Sequence, residues 1–131
     1  IVIAQGATTD SSVVSNTFNG QVNFAPICSF ELMHNAYLVA KERNLSVHVG
    51  IVLSSDRFYK VELGRQKLAG YGVLAVEMEA AGLYLLAAKY NRKALALLTI
   101  SDHILTGEET TAEERETTFD DMMLVALESI L

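Results

Sequence analysis

The chain has 131 residues, of which half are apolar, and a formal net charge of −6. This length fits one domain over residues 1–131, and the apolar share allows a sizeable core and argues against disorder. The negative charge and scattered basic residues argue against nucleic-acid binding, which typically uses a basic face. The single cysteine, Cys28, excludes an intramolecular disulfide and fits a reducing compartment.

Targeting, membrane and metal signals are missing from the sequence. It has no charged segment leading into an apolar one at its start and no apolar run of 18 residues, so neither a signal peptide nor a membrane partner is expected. We therefore expect a cytoplasmic protein. His34, His48 and His103 lack metal-ligand spacing with one another or with Cys28, so no metal site is expected.

The first half of the chain carries alternating strand and helix patterns. It predicts a strand over 1–7, a loop over 8–28, a helix over 30–43, a strand over 46–53 and a loop over 54–61. Ser29 is a plausible N-cap of the helix. The apolar stripe of that helix comprises Leu32, Ala36, Tyr37, Val39 and Ala40.

The second half continues the alternation. It predicts a helix over 62–70, a strand over 73–76, a helix over 77–90, a strand over 93–100, a loop over 101–110 and a helix over 111–131. Thr111 and Glu114 have capping-box spacing for the last helix. The expected buried stripe of that helix comprises Phe119, Met122, Met123, Ala126, Leu127 and Ile130. Strands that alternate with helices indicate an α/β fold with a largely parallel sheet.

Two carboxylates lie where a buried strand is expected to end. Residues 73–76 are continuously apolar, as in a strand buried on both faces, and Glu77 and Glu79 follow directly. Ligands of open α/β sheets bind at the carboxyl ends of strands, and ligand hydroxyls would suit these carboxylates. Alternatively, both are acids favoured by the amino terminus of the following helix.

Asp102 and Arg115 are candidates for chemistry. Asp102 follows the largely apolar run 94–100, and partial desolvation there would raise the pKa of its carboxyl and make it an acid near neutral pH. The alternative is an Asp that caps a turn. Arg115 lies near the first turn of the last helix, where a cation is mildly unfavourable, so an anion is expected nearby. The alternative is a solvated Arg paired with neighbouring glutamates.

Phe58 and Tyr59 are adjacent aromatic residues in a loop. Water disfavours such side chains unless they cover another group. One interpretation is a hydrophobic plug beneath the loop.

Two motifs together resemble the bacterial-type, hexameric purine nucleoside phosphorylases of the nucleoside phosphorylase superfamily. They are Val76-Glu77-Met78-Glu79-Ala80-Ala81-Gly82 and the stretch Ser101-Asp102-His103-Ile104-Leu105-Thr106-Gly107-Glu108-Glu109-Thr110-Thr111-Ala112-Glu113-Glu114-Arg115. Further matches are Thr9-Asp10-Ser11, Phe24-Ala25-Pro26-Ile27, Ser55-Asp56-Arg57-Phe58-Tyr59 and Thr117-Thr118-Phe119-Asp120-Asp121-Met122. The resemblance implies a three-layer α/β sandwich with a mixed, largely parallel sheet, here incomplete at the amino terminus.

The resemblance also implies roles for the base and the catalytic acid. Asp102 matches the residue that protonates N7 of the purine, which makes the base a neutral leaving group. Arg115 matches the residue that helps this proton transfer. Phe58 would stack on the base, with Tyr59 and Ser101 also at the substrate.

The remaining implied residues contact the sugar. Glu79 would accept hydrogen bonds from the 2′- and 3′-hydroxyls of the ribose, and Met78 would pack against the ring. Glu77 and Val76 would contribute to the same pocket.

The implied activity is reversible phosphorolysis of purine ribo- or deoxyribonucleosides to free base and pentose 1-phosphate, a pentosyltransferase reaction in purine salvage. Inorganic phosphate is the co-substrate and no cofactor is implied. The implied assembly is a hexamer built as a trimer of dimers. The glycine-rich phosphate loop and the phosphate-binding arginines of the family have no match here, so this chain is expected to be the carboxy-terminal part of such an enzyme.

Two alternatives remain. One is a nucleosidase of the methylthioadenosine/S-adenosylhomocysteine type, with water as the nucleophile. It shares the Val-Glu-Met-Glu motif and a Ser-Asp pair but lacks the long segment that ends at Arg115. The other is a non-catalytic nucleoside-binding fragment.

Overall fold

A computed structural model describes residues 1–57 and 64–131, so the predictions for Phe58 and Tyr59 lie outside the described residues. In chain order the elements are β1 (Val2–Thr9), α1 (Val13–Thr17), α2 (Phe30–Glu42), β2 (His48–Ser54), α3 (Arg65–Gly70), β3 (Val73–Glu77), α4 (Ala80–Lys89), β4 (Ala96–Leu98) and α5 (Ala112–Ser129).

The four strands form one sheet in the order β3-β2-β1-β4. β1 pairs in parallel with β2, and β2 with β3, whereas β4 is antiparallel to β1. The prediction of a mixed, largely parallel sheet is confirmed. In the parallel part, Thr9 lies beside Ser54 and Ser54 beside Glu77, so the carboxyl ends of three strands meet at one edge of the sheet.

The sheet separates two apolar clusters, which makes three layers. Side chains alternate between the faces of a strand. Accordingly, Val2 and Ala4 of β1 pack with Tyr84 of α4 on one face, and Ile3 packs with Ala36 of α2 on the other. α5 lies against α2 and closes the second cluster with its buried Val125.

A register shift between Ala4 and Gly6 interrupts the regular alternation of β1. Because of the shift, Ala7 packs in the same cluster as Ala4, although the two residues are three positions apart. A β-carbon on Gly6 would lie 3.3 Å from the carbonyl oxygen of Pro26, so glycine permits the loop before α2 to approach β1 closely. That approach is fixed by a hydrogen bond of 3.0 Å from Ala7 N to Pro26 O.

Three predicted boundaries differ from the structure. The predicted loop over 8–28 contains the short helix α1. Glu77 ends β3 instead of beginning a helix, and α4 starts at Ala80. The predicted strand over 93–100 pairs only over Ala96–Leu98. Ser29 does precede α2, but its side chain makes no capping hydrogen bond.

The prediction that residues 73–76 are buried on both faces is wrong. β3 is an edge strand of the described sheet, and Leu74 is 43% exposed. Leu74 is the extra residue at a register shift opposite Ile51 and Val52. Its side chain leans over Gly50, where a β-carbon would lie 2.8 Å from Leu74 Cδ1.

The stripe predicted for α5 is only partly buried. The capping box between Thr111 and Glu114 is confirmed, with hydrogen bonds of 2.8 and 3.1 Å. However, the buried positions of α5 are Val125 and Ser129. Met122 and Ala126 are half-buried, whereas the exposed members of the predicted stripe are Phe119, Met123, Leu127 and Ile130. Tyr37, predicted to be buried on α2, is likewise exposed. Among the described elements, α5 packs mainly against α2 and also contacts β4, and these side chains of α5 remain exposed.

Tyr84 joins α4 to two strands. Its ring is 1% exposed. Its hydroxyl donates to the carbonyl oxygen of Ala4 at 2.5 Å and accepts from the N–H of Ala96 at 2.9 Å. Ala4 and Ala96 are partners in the antiparallel pair of β1 and β4, so the hydroxyl completes their backbone pairing. Burial raises the pKa of Tyr84 to about 12.

Tyr84→Phe in the intact protein should lower the free energy of unfolding by about 1–3 kcal/mol, because it leaves a buried carbonyl and a half-buried N–H unpaired. The native protein should also lose stability as the pH rises from about 10, the ordinary pKa of tyrosine, towards about 12. Over that range the phenol of Tyr84 loses its proton in the unfolded state but keeps it in the folded state. The variant should lack this loss.

Denaturant unfolding at pH 8 and pH 11 measures both effects. Tyr90→Phe is the matched control, since Tyr90 is 61% exposed. Equal stability of the Tyr84 and Tyr90 variants would contradict the bridging role of Tyr84.

Candidate functional site

The carboxylate of Glu77 closes the turn between β3 and α4. Its Oε2 accepts hydrogen bonds from the N–H groups of Glu79 and Ala80, both at 2.7 Å. Its Oε1 accepts a hydrogen bond from the hydroxyl of Ser54. These bonds satisfy backbone donors that a helix leaves unpaired at its start. Glu77 is therefore engaged within the fold, and its contact with a ligand stays a prediction.

Ser54 completes the same turn from the neighbouring strand. It is 4% exposed, and its Oγ accepts the N–H of Ala81 at 2.9 Å. Together, Glu77 and Ser54 take up the N–H groups of Glu79, Ala80 and Ala81. This helix amino terminus is consequently filled by the chain's own oxygens and does not offer those groups to phosphate.

Glu79 and Met78 lie at the surface of this turn. Both side chains are exposed, and Met78 is 44% exposed. The carboxylate of Glu79 accepts one hydrogen bond, from the N–H of Met78 at 3.3 Å. Val76 is half-buried in β3. The structure therefore separates the two carboxylates of the motif, because Glu77 faces the backbone and Glu79 faces outward.

Asp10 ties β1 to the loop that follows β2. One carboxylate oxygen accepts the N–H of Asp56 at 2.8 Å and the other accepts the hydroxyl of Ser55 at 2.8 Å. The bond from the Asp56 N–H is the largest cause that lowers the pKa of Asp10, and Ser55 and Arg57 add to it. Asp10 thus fixes the start of the segment that leads to Phe58.

Ser101 and Asp102 begin a compact loop. The hydroxyl of Ser101 donates to Asp102 at 3.1 Å, and the carbonyl oxygen of Ser101 accepts from both the N–H and the hydroxyl of Thr110, at 3.0 and 2.5 Å. Asp102 also forms a β-bridge with Glu109. The carboxyl is exposed, so the partial burial expected for an acid at this position is not seen in this chain.

Arg115 lies in the first turns of α5 and is exposed. Its N–H donates to Thr111 O at 3.0 Å in the regular helical pattern. Within residues 1–57 and 64–131, no ion pair joins Arg115 to Asp102 or to the glutamates near it. The anion predicted beside this cation is not among its described contacts, and the role of Arg115 stays a prediction.

The strands that precede the two motifs end at opposite ends of the sheet. β4 pairs Leu98 with Val2, so the chain leaves β4 towards Asp102 beside the start of β1. Glu77 instead lies at the edge where β1 ends. Hydrogen bonds between the described residues do not connect the Asp102 loop with the turn at Glu79. A single pocket that contains both motifs stays a prediction.

A cavity of about 350 Å³ lies at the edge where β1 and β2 end. Its wall includes Asp10, Leu53, Lys67 and Tyr71, and α3 covers one side of it. Of the predicted site residues that the structure describes, none lines this cavity.

The described part of the chain shows neither a metal-binding cluster nor a helix suited to crossing a membrane. In those residues, no group of three or more His, Cys, Asp or Glu side chains is arranged to hold a metal ion. The helices described here also lack the combination of length and apolar character that a membrane crossing requires.

The roles of Ser54 and Asp10 were not predicted from the sequence. The signal that could have indicated them is a polar residue at the end of a strand, as for Ser54, or directly after one, as for Asp10. Parallel strands bring such residues to one edge. The hydrogen-bond partner of each oxygen could not be predicted from hydrophobic periodicity, because it depends on the register between neighbouring strands.

Known proteins match the whole of this chain. A sequence model of the phosphorylase superfamily matches residues 1–130. DeoD-type purine nucleoside phosphorylases of Listeria welshimeri and Latilactobacillus sakei are 60% and 56% identical to the chain, over 131 and 129 residues. These alignments cover 100% and 98% of this chain but 56% and 55% of the relatives. The chain therefore spans little more than half the length of these relatives.

A solved structure shares the fold. The purine nucleoside phosphorylase of Toxoplasma gondii, in complex with immucillin-H, superposes with a TM-score of 0.74 at 18% identity. The match covers 98% of this chain and 53% of that protein. At this identity the likeness supports the predicted fold class and carries no residue roles.

Asp10→Ala should free the N–H of Asp56, whose hydrogen exchange should become several-fold faster. In the native protein the pKa of Asp10 is lowered, so the clamp should be complete above the ordinary carboxyl pKa of about 3.9 and be lost as the pH falls through the lower folded value. Amide exchange in the intact protein, followed against pH, measures both.

Asp56→Asn serves as the matched control, because it alters an exposed side chain and keeps the backbone N–H that Asp10 accepts. If Asp10→Ala leaves the exchange of this amide unchanged, Asp10 does not hold the loop.

Proposed function

This chain belongs to the phosphorylase superfamily, and we propose that the protein containing it is a purine nucleoside phosphorylase. The proposed reaction is reversible phosphorolysis of purine ribo- and deoxyribonucleosides to free base and pentose 1-phosphate. The chain spans 56% of the length of its Listeria relative, so the activity is proposed for the intact protein.

The observation that carries the proposal is the outward-facing carboxylate of Glu79. It follows the carboxyl end of β3, with Met78 exposed beside it and Glu77 held against the backbone. An exposed carboxylate at this edge suits a pair of neighbouring hydroxyls, such as those of a ribose. The motif that contains it lies in a chain 60% identical to enzymes named purine nucleoside phosphorylases.

Two helix starts in the described part of the chain are closed to phosphate. The first N–H groups of α4 are occupied by Glu77 and Ser54, and the start of α5 is closed by its own capping box. A phosphate site needs converging N–H groups or clustered basic side chains. We propose that the part of the intact enzyme outside this chain supplies them.

In the proposed mechanism, phosphate attacks C1′ of the sugar while the bond from C1′ to N9 of the purine breaks. The electron pair of that bond moves into the base, and Asp102 donates a proton to N7, so the base leaves neutral. Arg115 would stabilise the carboxylate that Asp102 becomes. Both residues are exposed here. The proposal therefore requires the rest of the enzyme, or the substrate, to enclose them.

The finer expectations about assembly and location are also proposals. Several large apolar side chains of α5 and of the residue that follows it are exposed, namely Phe119, Met123, Leu124, Leu127 and Ile130. An apolar face of this kind usually marks a contact with other protein. We propose self-association of the intact enzyme, as a hexamer arranged as a trimer of dimers, in the cytoplasm.

Base release by the intact protein should depend on phosphate. A purine ribonucleoside should be cleaved with phosphate present and be cleaved very little without it. The product should be pentose 1-phosphate, because phosphate is the proposed nucleophile. Chromatography of the base and the sugar product measures both. Equal cleavage without phosphate, yielding free pentose, would instead support a nucleosidase.

Asp102→Asn should slow cleavage of natural purine nucleosides by about 100- to 10,000-fold, the usual contribution of one general acid. A 7-methylated purine nucleoside already carries the positive charge on its base, so its cleavage should be slowed much less.

Arg115→Ala should show a defect of the same kind. The two residues act as a unit, so their defects should not multiply. The double variant should therefore be much more active than the product of the two single defects predicts.

Steady-state kinetics on both substrates decides between a proton donor and a structural residue. Asp120→Asn, a change on the exposed surface of α5, is the matched control. Equal losses on the natural and the methylated nucleoside would remove Asp102 from proton transfer.

A further inference from the structure

Ser54 lies behind the proposed ribose carboxylate and is buried. It is the last residue of β2 and is 4% exposed, so it cannot contact a bound sugar. Its hydroxyl is nevertheless fully used, since it donates to Glu77 Oε1 and accepts the N–H of Ala81 at 2.9 Å. A buried hydroxyl with both functions satisfied in this way holds its partners in one arrangement.

The hydroxyl of Ser54 determines where the carboxylate of Glu77 lies. With Oε1 held by Ser54, Oε2 is presented to the N–H groups of Glu79 and Ala80 at 2.7 Å each. Three successive residues at the start of α4 are thereby bonded to two side chains. One of those residues is Glu79 itself.

The backbone of Glu79 is fixed in this way, while its side chain is not. The carboxylate is exposed and accepts only the weaker bond from Met78 N at 3.3 Å among the described contacts. The direction of the side chain therefore depends on a backbone that Glu77 and Ser54 hold.

We propose that Ser54 is a positioning residue for sugar recognition, and that it acts through Glu77 to hold the carboxylate of Glu79 against the 2′- and 3′-hydroxyls of the nucleoside. The inference rests on the proposed function, in which Glu79 binds these hydroxyls. It assigns Glu77 to the support of the site and not to contact with the sugar.

The test is the preference for hydroxylated sugar, measured as the ratio of dissociation constants for inosine and 2′,3′-dideoxyinosine. Calorimetry on the intact protein without phosphate avoids turnover. Ser54→Ala should reduce the preference about tenfold, as expected when the support of a ligand-binding side chain is removed. The affinity for the dideoxy compound, which cannot use Glu79, should change little.

Two matched variants separate this role from general damage. Ser55→Ala removes the neighbouring buried serine, whose hydroxyl bonds to Asp10 instead of Glu77, and it should keep the preference. Ser54→Thr retains a hydroxyl and should also keep it. If Ser54→Ala does not fold, Ser54→Cys serves instead, because its thiol is a weak donor and acceptor.

Glu79→Ala distinguishes failure of the inference from failure of the proposed function. It should abolish the preference, and adding Ser54→Ala to it should cause no further loss. If Glu79→Ala keeps the preference, the proposed function of the site is wrong. If Glu79→Ala abolishes the preference while Ser54→Ala leaves it intact, Ser54 does not position Glu79 and the inference is overturned.

Discussion

The carboxylate of Glu77 holds together the part of the structure that matters for function. It ends β3, receives a hydrogen bond from Ser54 at the end of β2, and accepts two N–H groups at the start of α4. Two strands and one helix therefore meet at a single side chain. A charged acceptor suits this place because the amino terminus of a helix favours negative charge. Without it, several backbone donors beside a buried core would lack partners.

This use of Glu77 gives the two carboxylates of one motif different functions. Glu77 occupies the helix start, so that position is closed to phosphate, whereas Glu79 is left free at the surface two residues later. Tyr84 anchors the same helix one turn later, through the carbonyl of Ala4 and the N–H of Ala96. The helix that presents Glu79 is consequently fixed at its first turn and again one turn further on. A binding group is most effective on a rigid support of this kind.

Sequence reasoning predicted the alternation of strands and helices because that depends on local hydrophobic periodicity. The capping box at Thr111 was also accessible, since both partners lie within four residues. The exposure of Phe119 and Leu74 could not be predicted in this way, because it depends on which elements lie alongside them in the fold. The hydrogen bond between Ser54 and Glu77 joins residues that are 23 positions apart. It depends on strand register, which a single motif does not reveal.

The most direct test is a crystal structure of the intact protein with a purine nucleoside bound. The account predicts that the 2′- and 3′-hydroxyls bind the carboxylate of Glu79, while Glu77 keeps its bonds to the N–H groups of Glu79 and Ala80 and to Ser54. It also predicts that Asp102 lies within hydrogen-bonding distance of N7 of the base. A sugar bound by Glu77, with the start of α4 released from it, would contradict the account.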